Sequence, residues 1–337
     1  MSDTRMARAL TSCALVALLT SACGLQTDES DGGAGAQDGE EFEPQDPEIL
    51  VHTGPGGGSD IFVRDVVSMM REENVISSNW SVRNEEAGEG AGAMSYLLER
   101  QGETDTISAM TTTWLTTPQT IEGASVTVND LTAVAGLIIE PEVMAVSADS
   151  PYESLTDFIE DAESKPGELV QTGGSTTEVG ALNGAALQAE TGTDWQFLSF
   201  EEVGQRVTAL LNGDADMMFG SAQDFASQVD AGKLEIIATI SPDPSPVFPD
   251  APTVEDEGYD VGLVPQVRGV MAPPDIPEEA LTYYQDAFTQ LLETDSWKEY
   301  SETNGLVTQL RVGEEWQSFL AEQNDRVAEA LESADLG

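Results

Sequence analysis

The chain has 337 residues, of which 40% are hydrophobic, so it can bury a sizeable core and global disorder is not expected. It contains 62 Asp and Glu against 13 Lys and Arg, which gives a formal net charge of −49. This acidity is typical of a solvated, halophile-like surface. It argues against nucleic acid and anionic membrane surfaces as partners, because binding to them depends on basic patches.

Residues 1–23 are predicted to form a secretory leader. Arginines near the start supply positive charge, and the apolar run over residues 9–19 is too short to span a bilayer permanently. Thr20-Ser21-Ala22-Cys23 resembles a bacterial lipobox, which implies cleavage before Cys23 and lipidation of its thiol. The alternative is an ordinary secretory signal cut near Ala22, with Cys23 left as a free thiol.

Residues 24–47 are predicted to be a flexible acidic tether, because they consist mainly of Asp, Glu, Gly, Gln and Pro. Both cysteines, Cys13 and Cys23, lie in the leader, so no disulfide is expected in the mature domain. With His52 as the single histidine, no Cys/His metal cluster is expected, and we predict neither a metal nor a cofactor. A structural role at the end of a strand is expected for His52, and a ligand contact is the alternative.

A glycine-rich loop follows the first predicted strand, Ile49-Leu50-Val51, and precedes a helix predicted from Asp60 to Glu73. Glycines let backbone N–H groups approach a ligand closely, and the first turn of a helix offers unpaired N–H groups with a partial positive charge. We therefore expect the loop to hold a carboxylate. The predicted binding residues are Thr53, Gly54, Pro55, Gly56, Gly57, Gly58, Ser59 and Asp60.

Two details of this loop can be predicted. A positive φ and a close backbone approach are expected at Gly57, so a β-branched residue there should abolish binding. Ser59 or Asp60 is expected to cap the helix. Orientation of the loop is a secondary role for Asp60, since its carboxylate would compete with an anionic ligand for the same N–H groups.

Three threonines follow the strand predicted at Thr106-Ile107-Ser108-Ala109-Met110. Their hydroxyls could line a polar pocket, or they could form a turn whose side chains bond their own backbone. Thr111 and Thr112 are therefore candidate binding residues.

The opening pattern recurs in the second half of the chain. A strand is predicted at Leu169-Val170-Gln171, a glycine and hydroxyl turn at 172–177, and a helix from Glu178 to Thr191. The candidate binding residues here are Gly173, Gly174, Ser175, Thr176 and Thr177, and Gly204, just before the next predicted helix, completes the set.

Strands and helices alternate over the rest of the chain, which predicts parallel sheets flanked by helices. Further strands are predicted at 134–139, 143–146, 215–219, 234–240 and 268–272, with helices at 154–162, 205–211, 277–293 and 314–334. The apolar stripe of Trp316, Phe319 and Leu320 is predicted to pack in the core.

Five motifs in this order resemble the solute-binding proteins of tripartite tricarboxylate transporters, the Bug-type or TctC-like family, over residues 48–334. They are Gly54-Pro55-Gly56-Gly57-Gly58-Ser59-Asp60 with Arg64, Gly213-Asp214-Ala215-Asp216, Ala231-Gly232-Lys233-Leu234, Phe248-Pro249-Asp250-Ala251-Pro252-Thr253, and Arg268-Gly269-Val270-Met271-Ala272-Pro273-Pro274.

The resemblance implies a type II periplasmic-binding-protein fold, with two α/β domains and a ligand cleft between them. Mapped onto this chain, domain 1 would be 48–143 plus 265–337, and domain 2 would be 144–264. The resemblance also implies an extracytoplasmic protein that binds a small di- or tricarboxylate and meets the membrane subunits of a transporter. With lipidation of Cys23, we expect this protein to be membrane-anchored, and we expect it to be a monomer. One carboxylate would be held by the loop over 53–60, and the turn over 172–177 would contribute from domain 2.

An enzyme is the competing hypothesis, and the residues disfavour it. A P-loop needs a Gly-Lys-Ser/Thr ending, whereas this loop ends in Gly58-Ser59-Asp60. The glycine spacing does not give a dinucleotide fingerprint, and one histidine does not make a credible catalytic triad. A third hypothesis is a ligand-sensing protein for a membrane receptor, which the sequence does not separate from a transport protein.

Overall fold

The computed structural model describes residues 42–200, 202–241 and 244–333. The predicted leader, Cys23 and tether residues 24–41 lie outside the described residues. Residues 42–47, the end of the predicted tether, contact the rest of the protein. Phe42 packs edge-on against Tyr283 with ring centroids 6.0 Å apart, and the N–H of Gln45 donates to Asp105 Oδ1 at 3.1 Å.

Strands and helices alternate along most of the chain, as predicted. The strands are β1 Glu48–Val51, β2 Ser81–Asn84, β3 Thr106–Thr111, β4 Thr132–Glu140, β5 Glu142–Ser147, β6 Val170–Gly173, β7 Gln196–Ser199, β8 Met217–Ser221, β9 Leu234–Ile240, β10 Gln266–Ala272 and β11 Val307–Val312. The helices are α1 Gly58–Glu72, α2 Ala91–Leu98, α3 Thr113–Thr120, α4 Leu155–Ser164, α5 Val179–Thr191, α6 Val203–Asn212, α7 Ala222–Asp230, α8 Glu278–Glu293, α9 Asp295–Asn304 and α10 Glu314–Ser333.

Two sheets organise two α/β lobes. The first has six strands in the order β11-β4-β10-β3-β1-β2, and the second has five in the order β7-β6-β8-β5-β9. The chain passes from the first sheet to the second between Glu140 and Glu142, and it returns between β9 and β10. The predicted fold class, a two-lobed α/β protein, is confirmed.

The prediction of parallel sheets is wrong for part of each sheet. β1 pairs in parallel with β2 and β3, and β6 pairs in parallel with β7 and β8. In contrast, β10 runs antiparallel to β3 and β4, and β5 runs antiparallel to β8 and β9. β5 and β10 are the strands at which the chain enters a sheet from the other lobe and not from a helix of the same lobe. β11 also runs antiparallel to β4, although it follows α9 of its own lobe.

Trp316 covers a pair of glycines on the first sheet. Gly136 on β4 and Gly269 on β10 are register partners, and a Cβ at either position would lie 2.4 Å from the Trp316 ring. Both glycines therefore admit the indole by lacking a side chain. Trp316 and Leu320 are fully buried and Phe319 stacks on Trp316, which confirms the predicted core packing of this stripe.

Candidate functional site

The first glycine loop leads directly into α1. The helix begins at Gly58, and Gly57 occupies the N-cap position with φ −71° and no side-chain cap. The predicted positive φ at Gly57 is therefore wrong, and the residue in this loop with that conformation is Gly56, at φ +84°. Gly57 still requires a glycine for another reason, since a Cβ there would lie 2.9 Å from Thr53 Cβ and 3.1 Å from the Gly54 carbonyl oxygen.

Asp60 orients the loop and is not the cap residue expected from the sequence. Its Oδ2 accepts a hydrogen bond from the N–H of Gly56 at 2.9 Å, and Arg64 Nη2 lies 2.8 Å from its Oδ1. Asn84 Nδ2 donates both to Asp60 Oδ1 at 2.9 Å and to the Thr53 carbonyl oxygen at 2.8 Å. The hydrogen bonds from Arg64 and Gly56 hold the pKa of Asp60 well below its usual range, so the carboxylate stays charged.

Two kinds of donor remain available at this loop. The N–H groups of the first turn of α1 have no acceptor within the helix, and the N-terminal end of the helix carries partial positive charge. The hydroxyl oxygen of Thr53 is buried and has no hydrogen-bond partner among the described residues. A buried polar atom is normally hydrogen-bonded, so this hydroxyl is a candidate ligand contact.

The second loop repeats this construction between β6 and α5. The N–H of Gly174 donates to the carboxylate of Glu178, four residues later, as Gly56 donates to Asp60. Glu178 Oε2 in turn lies 3.3 Å from Arg206 Nη1. Arg206 Nε donates to the Phe200 carbonyl oxygen at 2.9 Å, which fixes the guanidinium against the loop.

Residues from both loops line one cavity between the lobes, with a volume of about 410 Å³. The first loop contributes Thr53 and Gly54, and the second contributes Ser175 and Thr177. The rest of this outer cavity is lined by His52, Glu86, Glu89, Thr113, Thr116 and Glu178.

An inner cavity of about 270 Å³ adjoins the outer one, since Thr113, Thr116, Thr177 and Glu178 line both. Its charged residues are Glu140, Glu142, Glu178, Arg206, Asp224 and Arg268. Together the cavities form a cleft large enough for a small organic ligand.

The other predicted site residues take different positions. Pro55, Gly56, Gly57, Gly58, Ser59, Asp60, Gly173 and Gly174 build the loops and are not among the residues that line either of these two cavities. Gly204 is exposed on α6. Thr176 lines a separate cavity of about 400 Å³ on the second lobe, beside Trp195 and Phe197.

Of the three threonines at the end of β3, Thr111 and Thr112 take neither role left open by the sequence: they are not among the residues that line the two cavities, and their hydroxyl groups contact residues distant in the chain. Thr111 Oγ1 lies 3.4 Å from His52 Nε2. Thr112 is fully buried, donating to the Pro265 carbonyl oxygen at 2.7 Å and accepting from the N–H of Val267 at 3.0 Å. Thr113, with Thr116 one turn later, reaches the cleft.

His52 lines the outer cavity and is also held by structural hydrogen bonds. Its Nδ1 accepts a hydrogen bond from Trp114 Nε1 at 3.3 Å, and burial, with the nearby Arg268, lowers its pKa to about 4. The imidazole is therefore neutral near pH 7 and contributes shape and hydrogen bonding without charge.

Sequence reasoning missed the charged residues of the inner cavity. Arg268 Nη2 lies 2.9 Å from Glu140 Oε2, and its Nη1 lies 3.3 Å from Ser59 Oγ in the first turn of α1. Arg268 was visible in a family motif, but its partners are 128 and 209 residues away. Two arginines therefore line the cleft in addition to the backbone N–H groups expected at the loops.

The inner cavity opposes ionisation of its carboxyl groups. Burial, followed by repulsion from Glu178, Glu140 and Asp224, raises the pKa of Glu142 to about 8. Burial, followed by repulsion from Glu140, raises the pKa of Asp224 to about 6. Burial also raises the pKa of Glu178.

Within residues 42–200, 202–241 and 244–333, no three His, Cys, Asp or Glu side chains are arranged to hold a metal ion. No helix in this part of the chain is long and apolar enough to cross a membrane.

Residues 82–336 match the family described as "Tripartite tricarboxylate transporter family receptor". A UPF0065 protein of Bordetella pertussis is 19% identical over 86% of this chain and 89% of its own. A TctC solute-binding protein from Polaromonas superposes with a TM-score of 0.75, at 20% identity, over 85% of this chain and 97% of its own. An R. palustris protein with adipate superposes with a TM-score of 0.72, at 19% identity, over 86% of this chain and 97% of its own. These similarities show that the fold is that of two-domain periplasmic binding proteins.

Proposed function

Because the chain belongs to the tripartite tricarboxylate transporter receptor family, we propose that it is an extracytoplasmic solute-binding protein that captures a small di- or tricarboxylate and has no catalytic activity. The adipate bound by the R. palustris protein, which shares the fold, supports a carboxylate of this size.

One observation carries the proposal. Loops from the two lobes, built alike, meet at one cavity through Thr53 and Gly54 on one side and Ser175 and Thr177 on the other. In open α/β sheets, ligands bind beyond the carboxyl ends of strands, where such loops lie. A ligand held by both loops favours a closed arrangement of the lobes, which a transporter can distinguish from the empty protein.

The first loop is the proposed carboxylate site. The Thr53 hydroxyl, the first-turn N–H groups of α1 and the Arg268 guanidinium would all donate to it. Glu140 pairs with Arg268 and offsets its positive charge beside the first loop. A guanidinium has five N–H donors, so Arg268 keeps donors for a ligand despite this pairing.

We propose two domains, residues 48–141 with 265–337 and residues 142–264. The first boundary is two residues earlier than the one expected from the sequence, because Glu142 and Val143 belong to β5 of the second sheet. We also propose that the protein is a monomer and that a lipid on Cys23 anchors it to a membrane, either on the outer face of the cytoplasmic membrane or within the periplasm. There it would deliver its ligand to the membrane subunits of a transporter. A Cys23→Ser variant is then expected to leave the membrane fraction for the soluble fraction. Continued membrane association would refute lipidation at Cys23.

Thermal-shift measurements at high salt test the ligand class. Mono-, di- and tricarboxylates, ATP and glucose would be screened, and the best would be titrated by calorimetry. We expect stabilisation by at least one carboxylate with roughly micromolar affinity. Stabilisation by ATP or glucose with none by any carboxylate would overturn the proposal.

A further inference from the structure

The inner cavity has more acidic than basic side chains. Carboxyl groups reach it from four elements and guanidinium groups from two. They are Glu140 on β4, Glu142 on β5, Glu178 before α5, Asp224 on α7, Arg206 on α6 and Arg268 on β10. The outer cavity adds Glu86 and Glu89 and the neutral His52. A cleft with this balance is an unusual receptor for a purely anionic ligand.

Both arginines are already paired with carboxylates of the same cavity. Arg268 Nη2 lies 2.9 Å from Glu140 Oε2, and their side chains are 15% and 16% exposed, respectively. Arg206 lies 3.3 Å from Glu178. Two carboxyl groups, Glu142 and Asp224, form no salt bridge with any residue that the structure describes.

Glu142 gives a second, independent indication. A hydrogen bond from Asn183 to the carboxyl group partly offsets the rise in the pKa of Glu142. Its Oε2 is nevertheless buried and has no hydrogen-bond partner among the described residues, although Glu142 lines the cavity. A buried carboxyl oxygen without a partner is costly. A ligand group that donates hydrogen bonds would satisfy this atom, whereas a ligand carboxylate would repel it whenever Glu142 is ionised.

We propose that the ligand carries a protonated amine beside its carboxylate, with the ammonium group in the inner cavity near Glu142 and Asp224 and the carboxylate at the first loop beside Thr53. This inference rests on the proposed function, since it names the chemistry of the ligand held in the same cleft. An organic ammonium fits better than a metal ion, because the described acidic side chains are not arranged as metal ligands.

The charge of the ligand fixes the direction of proton exchange on binding. An ammonium group stabilises the ionised forms of Glu142 and Asp224, so it lowers their raised pKa values and releases protons. A second carboxylate in the same place would raise these pKa values further and take up protons. The two ligand classes therefore give opposite signs at the same pH.

The test compares each amino dicarboxylate with the same molecule lacking its amine, namely aspartate with succinate and glutamate with glutarate. Each pair is titrated by calorimetry at pH 7.5 and high salt, in phosphate and in Tris, whose different ionisation enthalpies reveal proton transfer. We expect the amino compound of at least one pair to bind about tenfold more tightly or better, the effect of one pKa unit of coupling, with net proton release.

Two results would overturn the inference, and they have different meanings. If neither aspartate nor glutamate binds more tightly than its counterpart, and succinate or glutarate binds with proton uptake, the ammonium is ruled out and the carboxylate function stands. The failure of every carboxylate to bind would overturn both.

Matched variants locate the ammonium site. Glu142→Gln and Asp224→Asn keep side-chain size while removing the charge, and together they are expected to abolish both the preference for the amino compound and the proton release. Glu322→Gln alters an exposed carboxylate on α10, and should change neither. An unchanged preference in the Glu142→Gln/Asp224→Asn double variant, with a native circular dichroism spectrum, would contradict the assignment.

Discussion

The Oδ2 of Asp60 accepts a hydrogen bond from the N–H of Gly56 at 2.9 Å, so a side chain in the first turn of α1 stabilises the loop that precedes the helix. Glu178 and Gly174 repeat the relationship at the second loop. Each carboxylate is also paired with an arginine, Arg64 or Arg206. The two loops therefore owe their conformation to acidic side chains as well as to glycines.

Replacement of Asp60 by Asn should destabilise the protein by about 1–3 kcal/mol at pH 7, because the hydrogen bonds from Gly56 and Arg64 lose their charged acceptor. Since the native pKa of Asp60 is depressed, its stabilising contribution is present above the unfolded value of about 3.9 and is lost as the pH falls towards the native pKa. Urea denaturation at pH 7 and pH 3 should show the difference shrinking in acid.

The control for this prediction is Asp295→Asn, since Asp295 is fully exposed and pairs with an exposed lysine. Such surface pairs contribute little, so the control should denature like the unmodified protein. An Asp60→Asn variant indistinguishable from this control would mean that the carboxylate does not stabilise the loop.

Neighbouring glycines of the first loop should respond differently to alanine. At Gly57 a Cβ would lie 2.9 Å from Thr53 Cβ and 3.0 Å from Thr53 Oγ1, so Gly57→Ala must displace the threonine proposed to contact the ligand. At Gly56 a Cβ would meet nothing within 4 Å, but φ is +84°. Gly56→Ala should therefore cost about 1–2 kcal/mol of stability through backbone strain.

Calorimetric titration with the best carboxylate separates these two effects. Gly57→Ala should weaken binding about tenfold or more, because it displaces the Thr53 hydroxyl that donates to the ligand. A tenfold loss of affinity corresponds to about 1.4 kcal/mol of binding free energy. Gly56→Ala should bind within a few-fold of the native affinity at a temperature where both are folded. The reverse order of affinities would move the carboxylate site away from Thr53.

Local patterns predicted the parts of this structure that depend on neighbouring residues. The strand at Leu234–Ile240 was predicted with its observed bounds, and both glycine loops lie at the ends of strands as expected. The pattern failed at α3, α7, α9 and β11. In α3, threonines and Pro118 obscure the helical pattern, and tertiary packing of Trp114 and Leu115 outweighs weak local propensity.

The hydrophobic pattern of the sequence could not predict which charged side chains meet in the cleft. Arg268 lies next to Ser59 only because β10 is inserted between β3 and β4, beside the start of α1. Such a neighbour depends on strand order, which a single sequence does not encode locally. Arg206 and Arg268 line the same inner cavity although they are 62 residues apart in the chain, and four carboxyl groups line it with them.

Arg268 should contribute to binding beyond its pairing with Glu140. Arg268→Gln leaves the partly buried Glu140 carboxylate without its partner, which should cost about 1–3 kcal/mol of stability. The Arg268→Gln/Glu140→Gln double variant removes both charges and should recover most of this loss. If Arg268 donates to the ligand, calorimetry should still show affinity weakened about tenfold or more in the double variant. Native affinity there would mean that Arg268 only neutralises Glu140.

Glu142 should make the stability of the protein fall with rising pH. Its native pKa of about 8 lies above the unfolded value of about 4.3, so between these values the folded state keeps a proton that the unfolded state has lost. Stability from this residue is therefore full below about pH 4 and declines until about pH 8, by at most about 1.4 kcal/mol per pH unit. Glu142→Gln has no proton to lose, so the variant should gain stability relative to the unmodified protein as the pH rises.

Urea denaturation at pH 5, 6.5 and 8 measures this difference. Asp224, whose pKa is raised to about 6, imposes a similar decline at lower pH in both proteins, and it therefore cancels to first order in the comparison. Glu322→Gln is the control, because that carboxylate is 61% exposed, and its curve should run parallel to that of the unmodified protein. If the Glu142→Gln curve is parallel as well, Glu142 ionises freely in the folded protein and the inner cavity does not oppose its charge.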